Sequence, residues 1–249
     1  MARTVEEVDT GSIARPQGDQ ARFELSPRRV RAVFGNTAVA DSKRVRLLLE
    51  PRKLPIYYFL TEDVRMDLLT AAGERLWSVS VGGRMAERAA WARAEYPDYV
   101  AFKWQAMDHW FEEDDEVFVH PRDPYHRVDI LNSSRHVKVI LGGEVVAETR
   151  RPRLLFETGL PTRYYIPSAD VRMEVLTPTP TRTRCPYKGE ASYWTARVND
   201  HEFADIVWGY PTPIPECAKL ERLLCFYNEK VDALYVDDEL QAKPKTPWS

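Results

Sequence analysis

The sequence predicts a mainly β protein, α+β only in its few short helices, built as two tandem copies of a small, compact β-sheet domain made of hairpins. Two observations support this prediction. Segments of the first half recur in the second half in the same order. Within each half, short runs of β-branched and aromatic residues alternate with Gly or Asn dipeptides, which favour tight hairpin turns. The 249 residues, 44% of them hydrophobic, are enough for packed cores.

The recurrence holds at one spacing and then shifts. Three pairs of segments share an offset of 107 (164 minus 57), namely residues 34–42 with 141–149, Tyr57-Tyr58 with Tyr164-Tyr165, and residues 63–66 with 170–173. Beyond them the offset is 117 (194 minus 77), because Trp77 corresponds to Trp194 and Trp91 to Trp208. Ten residues have therefore been gained by the second copy or lost from the first, and they contain the sequence Cys-Pro-Tyr-Lys-Gly at 185–189.

The elements follow from local patterns. Strands are predicted at residues 137–141, 145–147, 154–156, 164–166, 173–176 and 193–198. Hairpin turns are predicted at Gly35-Asn36, Gly82-Gly83, Gly142-Gly143 and Asn199-Asp200. Pro215, an early acid and helically spaced apolar residues predict a helix over 215–224, with residues 99–110 in the matching place of the first copy. A closing hairpin is predicted from 226–227 through a turn at 228–230 to 231–236.

Composition changes mark the domain boundaries. The predicted segments are a disordered N-terminus at 1–27, the first repeat at 28–119, a connector at 120–134, the second repeat at 135–240 and a disordered tail at 241–249. Prolines and charges in the connector favour an ordinary solvated link. Its density of His, Arg and Asp leaves a second interpretation open, in which it packs across the site of the second repeat.

Charge and cysteine usage exclude several classes of protein. With 35 basic and 38 acidic residues the net charge is -3, so we expect neither a nucleic acid polymer nor a membrane as partner, although a local basic patch remains possible. The three cysteines lack the spacing of a disulfide scaffold or a zinc site, and residues 1–20 lack the apolar core of a signal peptide. We therefore expect a cytoplasmic protein with reduced thiols, and we predict no metal site.

The segment 181–189 concentrates the candidate chemistry, and we expect it to form a compact loop. Cys185 lies among cations that favour a thiolate nucleophile, although a free cysteine is more often a packed hydrophobe. Lys188 before Gly189 suits an anion or is a solvated turn residue. Glu157 is a candidate acid or base if it is desolvated beside this segment, but its counterpart Glu50 favours a scaffold role. Cys185, Lys188 and Glu157 are the candidate catalytic residues.

A second set of residues is predicted to bind the ligand. Arginines would orient its charge, and tyrosines would provide flat surfaces against which it stacks. The set consists of Arg163, Tyr165, Arg172, Arg184, Tyr187, Tyr193 and Tyr210. Arg163 stands where the first copy has Ile56, which favours function over scaffold. Counterparts in the first copy exist for Arg172, Tyr165 and Tyr210, namely Arg65, Tyr58 and Tyr96. The sequence does not identify a cofactor.

The second copy resembles a known family in its motifs. They are residues 156–167, 170–173, 183–189, 208–211 and 226–227, in order, over about 135–238. They are similar to domain-of-unknown-function family 427, sometimes labelled a nucleotidyltransferase family. The first copy resembles the family from about 28 to 119 but lacks the Cys-Pro-Tyr-Lys-Gly motif. The resemblance implies a compact β-rich domain, while the residues themselves provide no Gly-rich phosphate cradle or Walker pattern that would support the label.

These patterns lead to one functional hypothesis with two alternatives. The leading hypothesis is an enzyme, a transferase or a hydrolase, that acts on a small polar or anionic molecule at a pocket around Cys185 and Lys188. The first alternative is a module that binds a metabolite or nucleotide without turning it over. The second is a structural protein that interacts through its duplicated sheet faces.

Overall fold

The computed structural model describes residues 20–246, and its regular structure is almost entirely β-strand. The chain divides into two compact units. Among the described residues, one unit holds 20–123 with 184–186, and the other holds 124–183 with 187–246. Each unit contains one repeat, so the predicted fold class of two tandem β domains is confirmed.

Eleven strands form the first repeat. They are β1 (Arg22–Leu25), β2 (Val30–Phe34), β3 (Thr37–Ser42), β4 (Arg46–Leu49), β5 (Ile56–Leu60), β6 (Leu69–Gly73), β7 (Leu76–Val81), β8 (Arg84–Arg93), β9 (Tyr96–Phe102), β10 (His109–Glu112) and β11 (Asp115–Glu116). Short 3₁₀ turns lie at Thr61–Asp63, Met66–Leu68 and Trp104–Ala106.

Eleven strands likewise form the second repeat. They are β12 (Val128–Asn132), β13 (Val137–Leu141), β14 (Glu144–Thr149), β15 (Arg153–Glu157), β16 (Arg163–Pro167), β17 (Leu176–Cys185), β18 (Gly189–Val198), β19 (His201–Gly209), β20 (Leu223–Phe226), β21 (Ala233–Val236) and β22 (Glu239–Leu240). Its 3₁₀ turns lie at Ser168–Asp170, Met173–Val175 and Pro215–Leu220.

The two repeats have the same topology. A seven-stranded sheet runs β1-β4-β5-β9-β8-β7-β6 in the first repeat and β12-β15-β16-β20-β19-β18-β17 in the second. A four-stranded sheet runs β11-β10-β2-β3 in the first and β14-β13-β21-β22 in the second, which is the same order read in reverse. Every strand has a counterpart in the same position, so the duplication read from sequence extends to the whole sheet architecture.

Alternation along the strands gives each seven-stranded sheet two buried faces. In the second repeat, Ile166 and Phe226 pack with the four-stranded sheet, while Tyr165 and Cys225 belong to a separate cluster on the other face. The first repeat has the same division, although the outer-face cluster there has only Leu48, Tyr58 and Ala101 among its fully buried described residues. The outer face of the second repeat therefore carries the larger second core.

Most predicted strands and all four predicted hairpin turns are present, with three corrections. Residues 173–175 form a 3₁₀ turn rather than a strand. The predicted helix at 215–224 is a 3₁₀ segment over Pro215–Leu220, kinked at Cys217, and Leu223 already belongs to β20. In its counterpart, residues 99–102 lie in β9 and only Trp104–Ala106 is helical.

The predicted closing hairpin is also wrong in its pairing. Its strands exist, but β20 pairs with β16 and β19, whereas β21 pairs with β13 and β22. The turn between them carries the chain from one sheet to the other. A two-residue period identifies strands without identifying their partners, and this explains the error.

Two predicted boundaries fall after the first strand of a repeat instead of before it. Residues 1–19 and 247–249 of the segments expected to be disordered lie outside the described residues. Residues Arg22–Leu25 form β1 and pair with β4, so the first repeat begins before residue 28. In the same way, β12 begins at Val128 and pairs with β15, so the connector ends before residue 134. Between residues 20 and 246, no helix is long and apolar enough to cross a membrane.

Candidate functional site

The ten extra residues of the second repeat lengthen a hairpin. In the first repeat, β6 and β7 have 5 and 6 residues and are joined by a two-residue turn. In the second repeat, β17 and β18 have 10 residues each, and residues 186–188 form the turn. The expected compact loop at 181–189 is therefore mostly strand, and Tyr187 and Lys188 lie at its tip.

A second insertion lies between β19 and β20. The register pairs Tyr58 with Ala101 and Tyr165 with Cys225, so the offset there is 124 (225 minus 101). Seven residues beyond the offset of 117 have been gained, and they include the Pro215–Leu220 turn. The alignment of Tyr210 with Tyr96 is corrected, because the offset from Trp91 and Trp208 places Tyr210 opposite Arg93.

The two insertions pack against each other. Gly189 forms a β-bridge with Pro213, and the Ile214 backbone N–H donates to the Lys188 carbonyl at 3.1 Å. The Cys217 thiol donates to the Tyr187 carbonyl at 3.1 Å. Gly189 has a φ of 105°, and a Cβ there would lie 3.3 Å from the Thr212 oxygen and the Ile214 nitrogen. A glycine is therefore required for both the backbone angle and the close approach.

A buried polar cluster lies beneath this contact. The Lys188 ammonium donates to both oxygens of Glu157 at 2.6 Å, and His126 Nε2 donates to Glu157 Oε1 at 2.9 Å. The Tyr187 ring stacks on the His126 ring with centroids 4.2 Å apart. The side chains of Glu157, Lys188 and His126 are 7%, 9% and 11% exposed. We call His126, Glu157, Tyr187 and Lys188 the Glu157 cluster.

The contacts determine the charge of Glu157. Burial on its own would raise the pKa of Glu157, but the hydrogen bond from His126 and the charge of Lys188 outweigh it and lower the pKa below its ordinary value. Glu157 is therefore ionised at neutral pH. Because a carboxylate only accepts, Nε2 carries a proton, and a neutral His126 then has its lone pair on Nδ1.

His126 comes from the segment predicted to be a connector. It reaches Glu157 across 31 positions in sequence. The interpretation in which that segment packs across the site of the second repeat therefore describes His126, while the favoured interpretation of a solvated link does not. The unusual density of charged and histidine residues at 120–129 was the signal for it.

A buried ion pair lies on the same outer face. Arg163 donates to both oxygens of Glu229 at 2.7 Å, and the two side chains are 7% and 1% exposed. Burial opposes the charge of Arg163, yet the hydrogen bond to Glu229 leaves its pKa raised. The Arg163 guanidinium lies over the Trp208 ring at 5.5 Å, and Trp208 Nε1 donates to the Tyr165 hydroxyl at 3.1 Å.

The family can now be stated from a match to the sequence. A family model described as Domain of unknown function (DUF427), with the short name NTP_transf_9, matches residues 22–113 and 129–237. The chain belongs to the DUF427 family. The first match begins with β1, and the second begins at the second residue of β12, so each match spans all seven strands of its larger sheet except Val128. A search of curated proteins found no match.

The remaining predicted ligand-binding tyrosines lie in the outer-face core of the second DUF427 copy. Tyr165 is 1% exposed, Tyr210 is 6% exposed and Tyr193 is 9% exposed. Burial raises the pKa of Tyr165 well above its ordinary value, so it stays a phenol. The Tyr193 hydroxyl is 2.8 Å from Thr183 Oγ1, which joins the core to the extended hairpin.

Three predicted site residues remain, namely Arg172, Arg184 and Cys185. Arg172 is at the surface between Glu144 and Glu174, and the pKa values of both carboxyls are lowered by it. Arg184 and the half-buried Cys185 belong to the compact unit of the first repeat. There the Arg184 guanidinium lies 4.6 Å from the centroid of the Phe118 ring.

The first DUF427 copy has a different arrangement around the matching carboxylate. Glu50 accepts from Arg93 Nη2 at 2.8 Å and from Lys53 Nζ at 3.1 Å, and the Lys53 side chain is 62% exposed. Both copies therefore hold a carboxylate at this position and differ in the cations around it. Within residues 20–246, no group of three or more His, Cys, Asp or Glu side chains is arranged to hold a metal ion.

Proposed function

We propose that the second repeat is an enzyme that acts on a small polar or anionic molecule by acid–base chemistry at the Glu157 cluster. The observation that carries this proposal is the buried contact of His126 and Lys188 with one carboxylate. The side chains involved come from the connector, from β15 and from the lengthened hairpin. Buried groups whose charges are set by one another are typical of active sites.

His126 is the proposed proton carrier. Glu157 accepts from Nε2 and so holds the ring in one tautomer, which leaves Nδ1 to take a proton from a substrate and return it. Tyr187 packs on the ring and limits its rotation. As His126 gains a proton, the ionised Glu157 stabilises the imidazolium, which is the role of a carboxylate that orients a histidine base.

Lys188 is the proposed electrostatic partner. Its ammonium neutralises Glu157, and a substrate oxyanion that approaches the hairpin tip would share that charge. A nucleophilic thiol at Cys185 is a separate proposal. Cys185 is half-buried and is assigned to the other compact unit of the chain. The acid–base role of His126 does not depend on it.

Binding without turnover is the second candidate function. It is favoured by the mutual neutralisation of the buried charges, because Glu157 pairs with Lys188 and Arg163 pairs with Glu229. A site with no net charge suits a ligand that carries both donors and acceptors. The family label NTP_transf_9 does not distinguish catalysis from binding without turnover.

One experiment separates the candidates. Purified protein is screened against metabolites and nucleotides by thermal shift, and each ligand that stabilises it is then incubated and analysed for product. If the site is catalytic, turnover should be lost in His126→Gln and retained in Cys185→Ala. The rate should also depend on pH, because His126 must be free to accept a proton. Binding predicts stabilisation without product.

The matched control uses the first repeat. Glu157→Gln removes the negative charge that pairs with Lys188 and holds His126, whereas Glu50→Gln makes the same chemical change in the copy that has Arg93 and Lys53 instead. Ligand stabilisation should fall in Glu157→Gln and persist in Glu50→Gln. An equal loss in both variants would contradict a site that belongs to the second repeat.

A further inference from the structure

A second candidate site lies at the other end of β15. Small molecules occupy cavities of about 300–1,000 Å³, and the cavity here has a volume of ≈ 470 Å³. Among the described residues that line it, three are arginines and none is acidic. The polar lining residues are Asn132, Ser133, Arg151, Arg153, Ser168 and Arg222. We call this cavity the arginine cavity.

The first repeat supplies an internal comparison. At an offset of 107, Arg151 and Arg153 correspond to Arg44 and Arg46, while Ala169 at the cavity wall corresponds to Glu62. At an offset of 124, Arg222 corresponds to Asp98. Two carboxylates of the first repeat are thus replaced by a methyl group and a guanidinium. The residues at these positions change from a charge-balanced set to one that carries three positive charges.

The arginines of the second repeat at this cavity also have fewer carboxylate partners than those of the first. Arg44 pairs with both Asp63 and Glu62, whereas Arg151 pairs with Asp170. Arg153 Nε donates to the neutral Asn132 Oδ1 at 3.0 Å, and Nη1 donates to the Lys219 carbonyl. Arg222 lies 3.7 Å from Glu221, and its side chain is 87% exposed. Around this cavity, the described part of the second repeat therefore has fewer carboxylates for its arginines than the first repeat has.

We propose that the arginine cavity binds the phosphate group of a small phosphorylated molecule. Guanidinium forks match the geometry of phosphate oxygens, and the hydroxyls of Ser133 and Ser168 add donors. A dianionic phosphate matches several arginines better than a carboxylate, which one fork satisfies. This site stands apart from the proposed acid–base chemistry, because Arg153 and Glu157 lie at opposite ends of β15.

Titration with inorganic phosphate, followed by calorimetry or NMR, tests the proposal. The informative variants install the residues of the first repeat, Arg222→Asp and Ala169→Glu, and affinity should fall about tenfold in Arg222→Asp, since one attraction is replaced by a repulsion. The control is Arg88→Asp, an exposed residue at φ 49°, comparable with φ 60° at Arg222. It makes the same change in net charge and installs the residue that the second repeat has at Asp205.

Each outcome decides the matter. Retained affinity in Arg88→Asp with loss in Arg222→Asp supports the site, and tighter binding of a nucleoside monophosphate than of phosphate extends it to the rest of that molecule. Equal loss in both variants, or no phosphate binding by the parent protein, overturns it. Tighter binding of a single-stranded oligonucleotide that is also lost in Arg222→Asp would overturn the assignment to a small molecule. His126→Gln should leave phosphate affinity unchanged, which separates this test from that of the acid–base site.

Discussion

The first repeat joins β6 to β7 and β8 to β9 with two-residue turns. The second repeat lengthens the strands of the first hairpin and the connection of the second, and its added residues pack against each other. The sheets beneath have the same strand order. At one shared position, Glu50 is held by Arg93 and a solvated lysine, while Glu157 is enclosed with His126 and Lys188. A duplicated scaffold can thus keep a carboxylate and change the side chains around it through residues added at the edge of the same sheet.

The buried ion pair of the second repeat is expected to give the largest effect. The first repeat has Ile56 at the position of Arg163 and Gln105 at that of Glu229. Arg163→Ile alone leaves Glu229 buried without its cation, which should lower the free energy of unfolding by about 3–5 kcal/mol. The measurement is the urea denaturation midpoint.

The double variant Arg163→Ile/Glu229→Gln installs the pair of the first repeat. It should recover most of the loss, because no uncompensated charge remains. If the double variant is as unstable as Arg163→Ile, the cost lies in lost packing against Trp208 rather than in the charge.

The next largest effect is expected at the shared carboxylate. Glu157→Gln leaves the buried Lys188 without its counterion and should cost about 1–3 kcal/mol of unfolding free energy. Glu50→Gln should cost less, since solvent reaches Lys53. Denaturation of each single variant beside the parent protein measures both.

The contact of Glu157 with Lys188 predicts that the stability of the protein depends on pH. The pKa of Glu157 is lowered from 4.5 by folding, so its stabilising contribution is complete above that value and is lost as the pH falls through the folded pKa. The stability gap between the parent protein and Glu157→Gln should therefore be constant at neutral pH and narrow below about pH 4.5. A gap that widens on acidification would show that Glu157 is not held as a carboxylate.

The contact between the two insertions gives an expected effect of similar size. Gly189→Ala should cost about 1–3 kcal/mol, because alanine is strained at this φ and its Cβ meets backbone atoms of residues 212–214. Gly143→Ala is the matched control, since Gly143 also has positive φ, 77°, but has open space around its Cβ position. Equal losses in the two variants would mean that the close approach contributes nothing beyond strain.

Part of the difference between the repeats is accessible from sequence. The offsets of 107 and 117 reveal the duplication and the first insertion, and two residues chosen as candidates from sequence, Glu157 and Lys188, are in direct contact. The second insertion escapes a sequence comparison because Tyr96 and Tyr210 both precede proline and align on that ground. Strand register, which depends on partners far away in sequence, gives the alignment with Arg93 instead.

Side-chain contacts between residues far apart in sequence are the other feature that the sequence did not predict. His126 reaches Glu157 over 31 positions, and Glu229 reaches Arg163 over 66. The density of charged and histidine residues at 120–129 marks the connector, but no local pattern identifies the partner of either side chain, because the connector and the turn after β20 are irregular segments. The predicted helix failed for a related reason, since a six-residue segment with a kink at Cys217 has too few turns to be stable as an α-helix.

The smallest expected effect concerns a residue that both repeats share. Arg172, predicted to bind ligand, lies at the surface between Glu144 and Glu174, and its counterpart Arg65 pairs with Asp67 in the same way. Arg172→Ala and Arg65→Ala should therefore leave the denaturation midpoint and any ligand-induced thermal shift unchanged, because exposed ion pairs are screened by solvent. A lost thermal shift in Arg172→Ala alone would return this arginine to the functional set. It would also extend the difference between the repeats to β14, the edge strand of the four-stranded sheet, where the Arg172 backbone N–H donates to the Val146 carbonyl.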